Sequence, residues 1–192
     1  MFRNPPIRAA ESQALHTAAH YRPVAVDTAL HNILKVDGVI ASVAEAITSV
    51  GVVGVFLPLS VVVGLWLWRV TRSWHLALVP LAATWVTALL TSGLKDAFGR
   101  ARPAGAEALG AVSAAFPSGH ASNTAAFTLA TALVVSVVWP MRQRQALTAA
   151  VVVSFVMGWT RLALGVHWVS DVLAGWALGA AVAVAVFRFA RR

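Results

Sequence analysis

Lys95, Arg102, Ser118, Gly119, His120, Arg161, His167 and Asp171 are the residues of this chain from which a reaction can be built. Three of them are cations of the kind that give charge-assisted hydrogen bonds to phosphate, and the two guanidinium groups can do so bidentately. Ser118 follows Pro117 where a long uncharged run begins. Free backbone N–H groups at such a helix start, those of Gly119 and His120, form an anion site, and glycine permits close approach. His167 and Asp171 are four apart and so share one face of a helix. The carboxylate can hold one ring nitrogen as N–H and leave the other free to attack, the nucleophile–orienter arrangement of covalent catalysis. His120 is then left to protonate the leaving group as a general acid and to activate water as a base. Taken singly, each residue has a plainer reading: an interfacial anchor for Arg102 or Arg161, a helix-capping group for His120, a structural ion pair for His167 and Asp171. It is the set together that favours a site for a phosphate ester.

These residues lie in a chain made for lipid. Of its 192 residues 59% are hydrophobic and 11% charged, with a mean hydropathy of +0.75, whereas about a quarter of a soluble protein is charged. In such a chain an ionisable group is costly and becomes a functional candidate. Uncharged runs long enough to cross a membrane predict five spans at about residues 46–68, 76–94, 119–141, 146–164 and 168–188. Pro58 is expected to kink the first. An Ala- and Gly-rich, non-helical loop from about Gly99 to Pro117 joins the second and third, and its stretch from Gly105 to Ala115 is expected to be a flexible cover between site halves. Residues 1–25 read as an N-terminal tail and 26–192 as a single membrane domain. From Val26 to Ile47 apolar residues recur at helical spacing but Lys35, Asp37 and Glu45 intervene, so one or two amphipathic interfacial helices are expected, with Asp27 as a cap and Gly38 as a break.

Several functions are disfavoured. The net charge of +8 is not a basic patch interleaved with aromatics, so no nucleic-acid partner is expected. Without cysteine there is no disulfide or thiolate chemistry. The first residues show no apolar core before a small-residue cleavage site, so no cleaved signal peptide is expected. His16, His20, His31 and His75 form no metal-ligand pattern, and neither a metal nor a cofactor is expected. Trp66, Trp68, Trp74 and Trp139 read as an interfacial belt, and Trp168 as helix packing ahead of substrate contact. Gly175 and Gly179 are spaced for close helix contact within the chain, ahead of a dimer interface.

The arginines fix a direction. Arg69 and Arg72, Arg142 and Arg144, and Arg188, Arg191 and Arg192 fall on one side of the five spans, which the positive-inside bias makes cytoplasmic. All the candidate site residues then fall at the extracytoplasmic face of a cell membrane, as does the N-terminus.

In order, Lys95-x6-Arg102-Pro103, Pro117-Ser118-Gly119-His120 and Arg161-x5-His167-x3-Asp171 resemble the three-part signature of the type 2 phosphatidic acid phosphatase (PAP2) superfamily, in its bacterial membrane lipid phosphatase branch. The resemblance covers about residues 26–190. It implies an all-α helical bundle like that of the haloperoxidases, with His167 as a nucleophile forming a phosphohistidine and Asp171 orienting it. His120 would be the acid and base, and Lys95, Arg102, Ser118, Gly119 and Arg161 would bind phosphoryl oxygens, with no metal. Thr160 stands where the third block usually has serine, and Arg100, also common in the first block, is left without a role. Members usually have six spans; here the amphipathic segment stands in the place of the first.

The expected function is therefore hydrolysis of a phosphate monoester or pyrophosphate on a membrane lipid: a polyprenyl diphosphate such as undecaprenyl diphosphate, phosphatidic acid or phosphatidylglycerophosphate. Alternatives are a lipid phosphotransferase or vanadate-dependent peroxidase using the same residues, or a non-catalytic phospholipid-binding protein. The partners expected are the lipid substrate and the bilayer, with a homodimer left open.

Overall fold

The computed structural model describes residues 25–49 and 53–192. Every regular element in it is helical. Two short helices, α1 (Ala25–Leu34) and α2 (Gly38–Ser49), precede five long ones: α3 (Val53–Thr71), α4 (Trp74–Phe98), α5 (Gly119–Val138), α6 (Gln143–Ala163) and α7 (Val169–Ala190). Among the described residues, these five are long and apolar enough to span a membrane. The protein is an all-α integral membrane protein. The N-terminal tail lies outside the described residues up to position 24, as do His16 and His20.

The N-terminal helices match the amphipathic expectation in kind and differ in extent. Val26, Ile33, Val39, Ile40 and Val43 are exposed apolar side chains, as suits helices lying against lipid. Gly38, at φ 66°, separates the two. The first span does not begin near residue 46, because residues 46–49 complete α2. A run without charge does not reveal where one helix stops and the next starts. What holds the end of α2 is Thr48, a buried hydroxyl that accepts a hydrogen bond from Arg161 on α6.

Helix α5 is the most buried of the five and packs against α4, α6 and α7. Its side chains explain this, since Ala121, Ser122, Ala125 and Ala126 let a partner backbone come close. That partner is α7, where a Cβ on Gly179 would lie 2.2 Å from the Ser122 carbonyl oxygen and one on Gly175 2.8 Å from that of Ser118. Small-residue contact of this kind drives helix association in lipid. The glycine pair therefore serves packing within the chain. Hydroxyls in α5 return to the backbone, with Thr128, Thr131 and Ser136 donating to carbonyls four residues back.

Two turns place the chemistry. Gly99, at φ 54°, ends α4 with its N–H on the Lys95 carbonyl, so Lys95 sits in the last helical turn and Arg100 and Arg102 just beyond. Gly165, at φ 65°, follows α6 and folds the chain back, with Val166 N–H reaching the Arg161 carbonyl. His167 thus returns beside Arg161. The connection from 99 to 118 contains a single-turn 3-10 helix, Ala106–Leu109. Its return limb is tied down by Ala115 N–H on the Arg100 carbonyl and by Arg102 on Ser113. At the opposite end Trp66 and Trp139 stack at 5.6 Å between ring centroids.

Candidate active site

Between α2, the 99–118 connection, the ends of α4, α5 and α6 and the turn before α7 lies a cavity of about 450 Å³. Lys95, Arg102, Gly119, His120, Arg161 and His167 all line it. Segments separated by up to 72 positions in sequence have been brought to one end of the bundle. Two expected members stand elsewhere. Ser118 and Asp171 are both fully buried and are not in the lining. For Asp171 that is the place an orienting group should occupy. For Ser118 it separates the hydroxyl from the cavity, and among the described residues Ser118 Oγ has no hydrogen-bond partner.

The His167 ring is 2% exposed and held at both nitrogens. Nδ1 lies 3.3 Å from Asp171 Oδ2, and Nε2 lies 3.0 Å from Arg102 Nη1. A guanidinium has donors only, so Nε2 must accept and the ring proton sits on Nδ1, facing the carboxylate. Burial pushes the imidazole well below its ordinary range, and the nearby Arg102, Arg161 and Lys95 charges push it further. A neutral ring with its lone pair on Nε2 is the form a nucleophile needs.

The cations are held by neutral groups. Arg102 donates to the Ser113 and Val166 carbonyls at 2.6 and 2.8 Å, Lys95 donates to the Ala114 carbonyl, and Arg161 Nη1 donates to Thr48 Oγ1 at 2.7 Å. Arg161 Nε has no partner among the described residues. His120, at the first turn of α5, makes no hydrogen bond to them either. Charge arranged in this way remains available to an anion.

Behind the ring the pattern reverses. Asp171 accepts the Trp168 N–H at 2.9 Å on Oδ2 and Arg100 Nη1 at 2.6 Å on Oδ1. Arg100, 2% exposed, also donates to Ser170 Oγ at 2.6 Å and to Asp27 Oδ2 at 2.7 Å. Asp27 lies in the first turn of the described α1, and instead of capping it accepts the Ser170 N–H at 3.0 Å, at the start of α7. It is thus the capping group of a different helix, 143 positions away. Trp168 is buried, donates from Nε1 to the Ala101 carbonyl at 3.0 Å and lies under Arg100, so its work is packing. In the sequence Arg100 is marked by its place in the first block and Asp27 as a helix cap, but nothing there pairs the two. Thr48 and Ser170 carry no signal.

Among the described residues no group of acids and histidines is placed to hold a metal ion.

Residues 74–192 match the model of the PAP2 superfamily. The chain is 33% identical over 140 residues to phosphatidylglycerophosphatase B of Bacillus subtilis (strain 168), an alignment spanning 71% of this chain and 68% of that one. It is also similar to the crystal structure of a transmembrane PAP2 type phosphatidylglycerolphosphate phosphatase from Bacillus subtilis. There the TM-score is 0.80 at 28% identity, covering 96% of this chain and 95% of the other.

Proposed function

The chain belongs to the PAP2 superfamily, and from that premise we propose that it is a membrane phosphatase working on a lipid phosphate through a phosphohistidine on His167. That it is a phosphoric ester hydrolase follows from its PAP2 phosphatase relatives. The observation that carries the mechanism is the His167 ring, fixed at Nδ1 by Asp171 with Nε2 turned toward three cations around one cavity. Of the lipids considered above, phosphatidylglycerophosphate is the proposed substrate, because the relatives act as phosphatidylglycerophosphate phosphatases.

In the proposed reaction a phosphoryl group enters among Lys95, Arg102 and Arg161, with the Gly119 backbone at the start of α5 as a further donor. Arg102 moves from Nε2 onto a phosphoryl oxygen, which frees the lone pair. Nε2 then bonds to phosphorus as the ester P–O bond breaks, and His120 gives its proton to the departing lipid alkoxide. A water follows, His120 takes its proton, the P–N bond breaks and inorganic phosphate leaves with His167 restored. Cations already in place around charge spread over the phosphoryl oxygens lower the barrier without reorganising at the moment of reaction. The positive-inside bias places this site on the extracytoplasmic side of the cell membrane.

The test is phosphate release from phosphatidylglycerophosphate, phosphatidic acid and a polyprenyl diphosphate presented in mixed micelles, with His167→Ala as the control. The wild type should prefer the first, and the variant should lose at least about 10⁴-fold in kcat on all three. Turnover retained by His167→Ala would remove the phosphohistidine.

A further inference from the structure

One carboxylate in the buried cluster takes no part in the steps above. We propose that Asp27 is a positioning residue for this reaction: through Arg100 it holds Asp171, and hence His167, and keeps the group behind the imidazole net anionic. The proposal rests on reading His167 as the nucleophile.

Asp27 is 4% exposed, and both its oxygens are committed. Oδ2 accepts Arg100 Nη2 at 2.7 Å and Ser170 Oγ at 2.6 Å, and Oδ1 accepts Ser170 N–H at 3.0 Å. Arg100 in turn reaches Asp171 through its other terminal nitrogen. One guanidinium therefore bridges two carboxylates, and the trio carries one negative charge. Burial raises the Asp27 pKa, but hydrogen bonds from Ser170 and Arg100 outweigh it and leave the carboxyl below its ordinary range, so it counts as ionised.

That charge has a use in the proposed step. When Nε2 bonds to phosphorus while Nδ1 keeps its proton, the ring becomes cationic. Asp171 is the counter-charge in contact with it. If Asp27 were neutral, the whole charge of Arg100 would fall on Asp171, and the group behind the ring would have no net charge left to offer. In a buried site such a change is weakly screened. Position matters as well as charge, because Ser170 and Asp171 open α7, and Asp27 grips the first while Arg100 grips both. Asp27 also lies on α1, outside the 74–192 stretch that matches the family model. The N-terminal helix is thereby part of the catalytic apparatus.

Asp27→Asn in the full-length protein removes the charge and keeps the shape. The expected result is a fall in kcat of about 10- to 100-fold, the usual effect of losing a group that orients a reacting one, with KM unchanged within about twofold. Vanadate binding, followed by calorimetry, should still count one site per chain. Added to Asp171→Asn, the change should have less than about a twofold further effect, because both act on one element. If Asp27→Asn yields no folded protein, Arg100→Lys carries the same test, since lysine cannot bridge both carboxylates. An unchanged kcat, a loss that multiplies with that of Asp171→Asn, or a drop in vanadate stoichiometry matching the drop in rate would each overturn the proposal. His167→Ala in the same assay separates the two failures: if it is inactive while Asp27→Asn is normal, the nucleophile stands and only the role of Asp27 falls.

Discussion

On one side of the His167 ring, Nε2 meets Arg102 at 3.0 Å beside a cavity bordered by Lys95, His120 and Arg161; on the other, Nδ1 meets Asp171 at 3.3 Å, backed by Arg100 and Asp27. The front cations rest on carbonyls and a hydroxyl, and every ion pair among the described residues lies at the back. Glu45 borders the cavity without an ion pair among the described residues, whereas Asp27 and Asp171 lie behind the ring. There they are tied to Arg100, which does not line the cavity. The proposed phosphohistidine mechanism needs both conditions at once, positive charge for the phosphoryl oxygens and negative charge for the ring that would bear them. One imidazole thickness separates the two.

The sharpest way to break this division is from the back. Asp171→Asn keeps the side chain's shape, but its amide can present a donor to Nδ1 and favour the wrong tautomer. We expect kcat to fall about 10⁴-fold, as for an orienting aspartate in a triad. Vanadate affinity, set by the front cations, should stay within about threefold of wild type in a calorimetric titration. If both fell together, front and back would not be separable. Breaking the front gives a smaller effect that depends on the leaving group. His120→Gln should cost about 10³-fold on a lipid phosphate, where an alkoxide must be protonated. With an aryl phosphate, whose phenolate needs little help to depart, the loss should shrink to about 10-fold. Equal losses on both substrates would show that His120 is not the acid.

The cavity residues and the His167–Asp171 pair were legible in the sequence and the rest of the back was not, for a physical reason. Lys95, Arg102, His120, Arg161 and His167 each occur within a few residues of a span end, and alternation of the spans sends all those ends to one side. Five uncharged runs are enough to derive that. The pairing of Asp27 with Arg100 and Ser170 joins residues 73 and 143 positions apart. No helical period relates them, and Asp27 at the start of an amphipathic helix looked like its cap. Ser118 differs the other way. Its place in a compact motif suggested a ligand, and in the structure it is fully buried and outside the cavity lining, with its backbone carbonyl packed against Gly175 of α7. The span start expected near residue 46 differs from the helix bounds because the run from Ala46 carries no charge to mark where α2 ends.

Front and back are kept in register by the contact of α5, which carries His120, with α7, which carries Asp171. That contact depends on glycine. A Cβ on Gly179 would fall 2.2 Å from the Ser122 carbonyl oxygen and 2.8 Å from the Ala126 backbone nitrogen, so the relief must come from backbone and not from a flexible side chain. Gly179→Ala should therefore destabilise the protein by about 1–3 kcal/mol despite alanine's better helix propensity. For a chain of this size that is roughly 2–4 °C in melting temperature per kcal/mol, readable by a fluorescence melt in detergent. On α7 the strain falls two helical turns from Asp171, which Arg100 and the Trp168 N–H hold separately, and on α5 it meets the Ser122 carbonyl, two positions after His120, whose side chain lines the cavity. Activity per vanadate-binding site should then stay within about threefold of wild type. A variant of normal stability with lost activity would mean that the α5–α7 spacing tunes the gap between the two faces directly, and that the cavity and the acid cluster are one mechanical unit instead of two packed side by side.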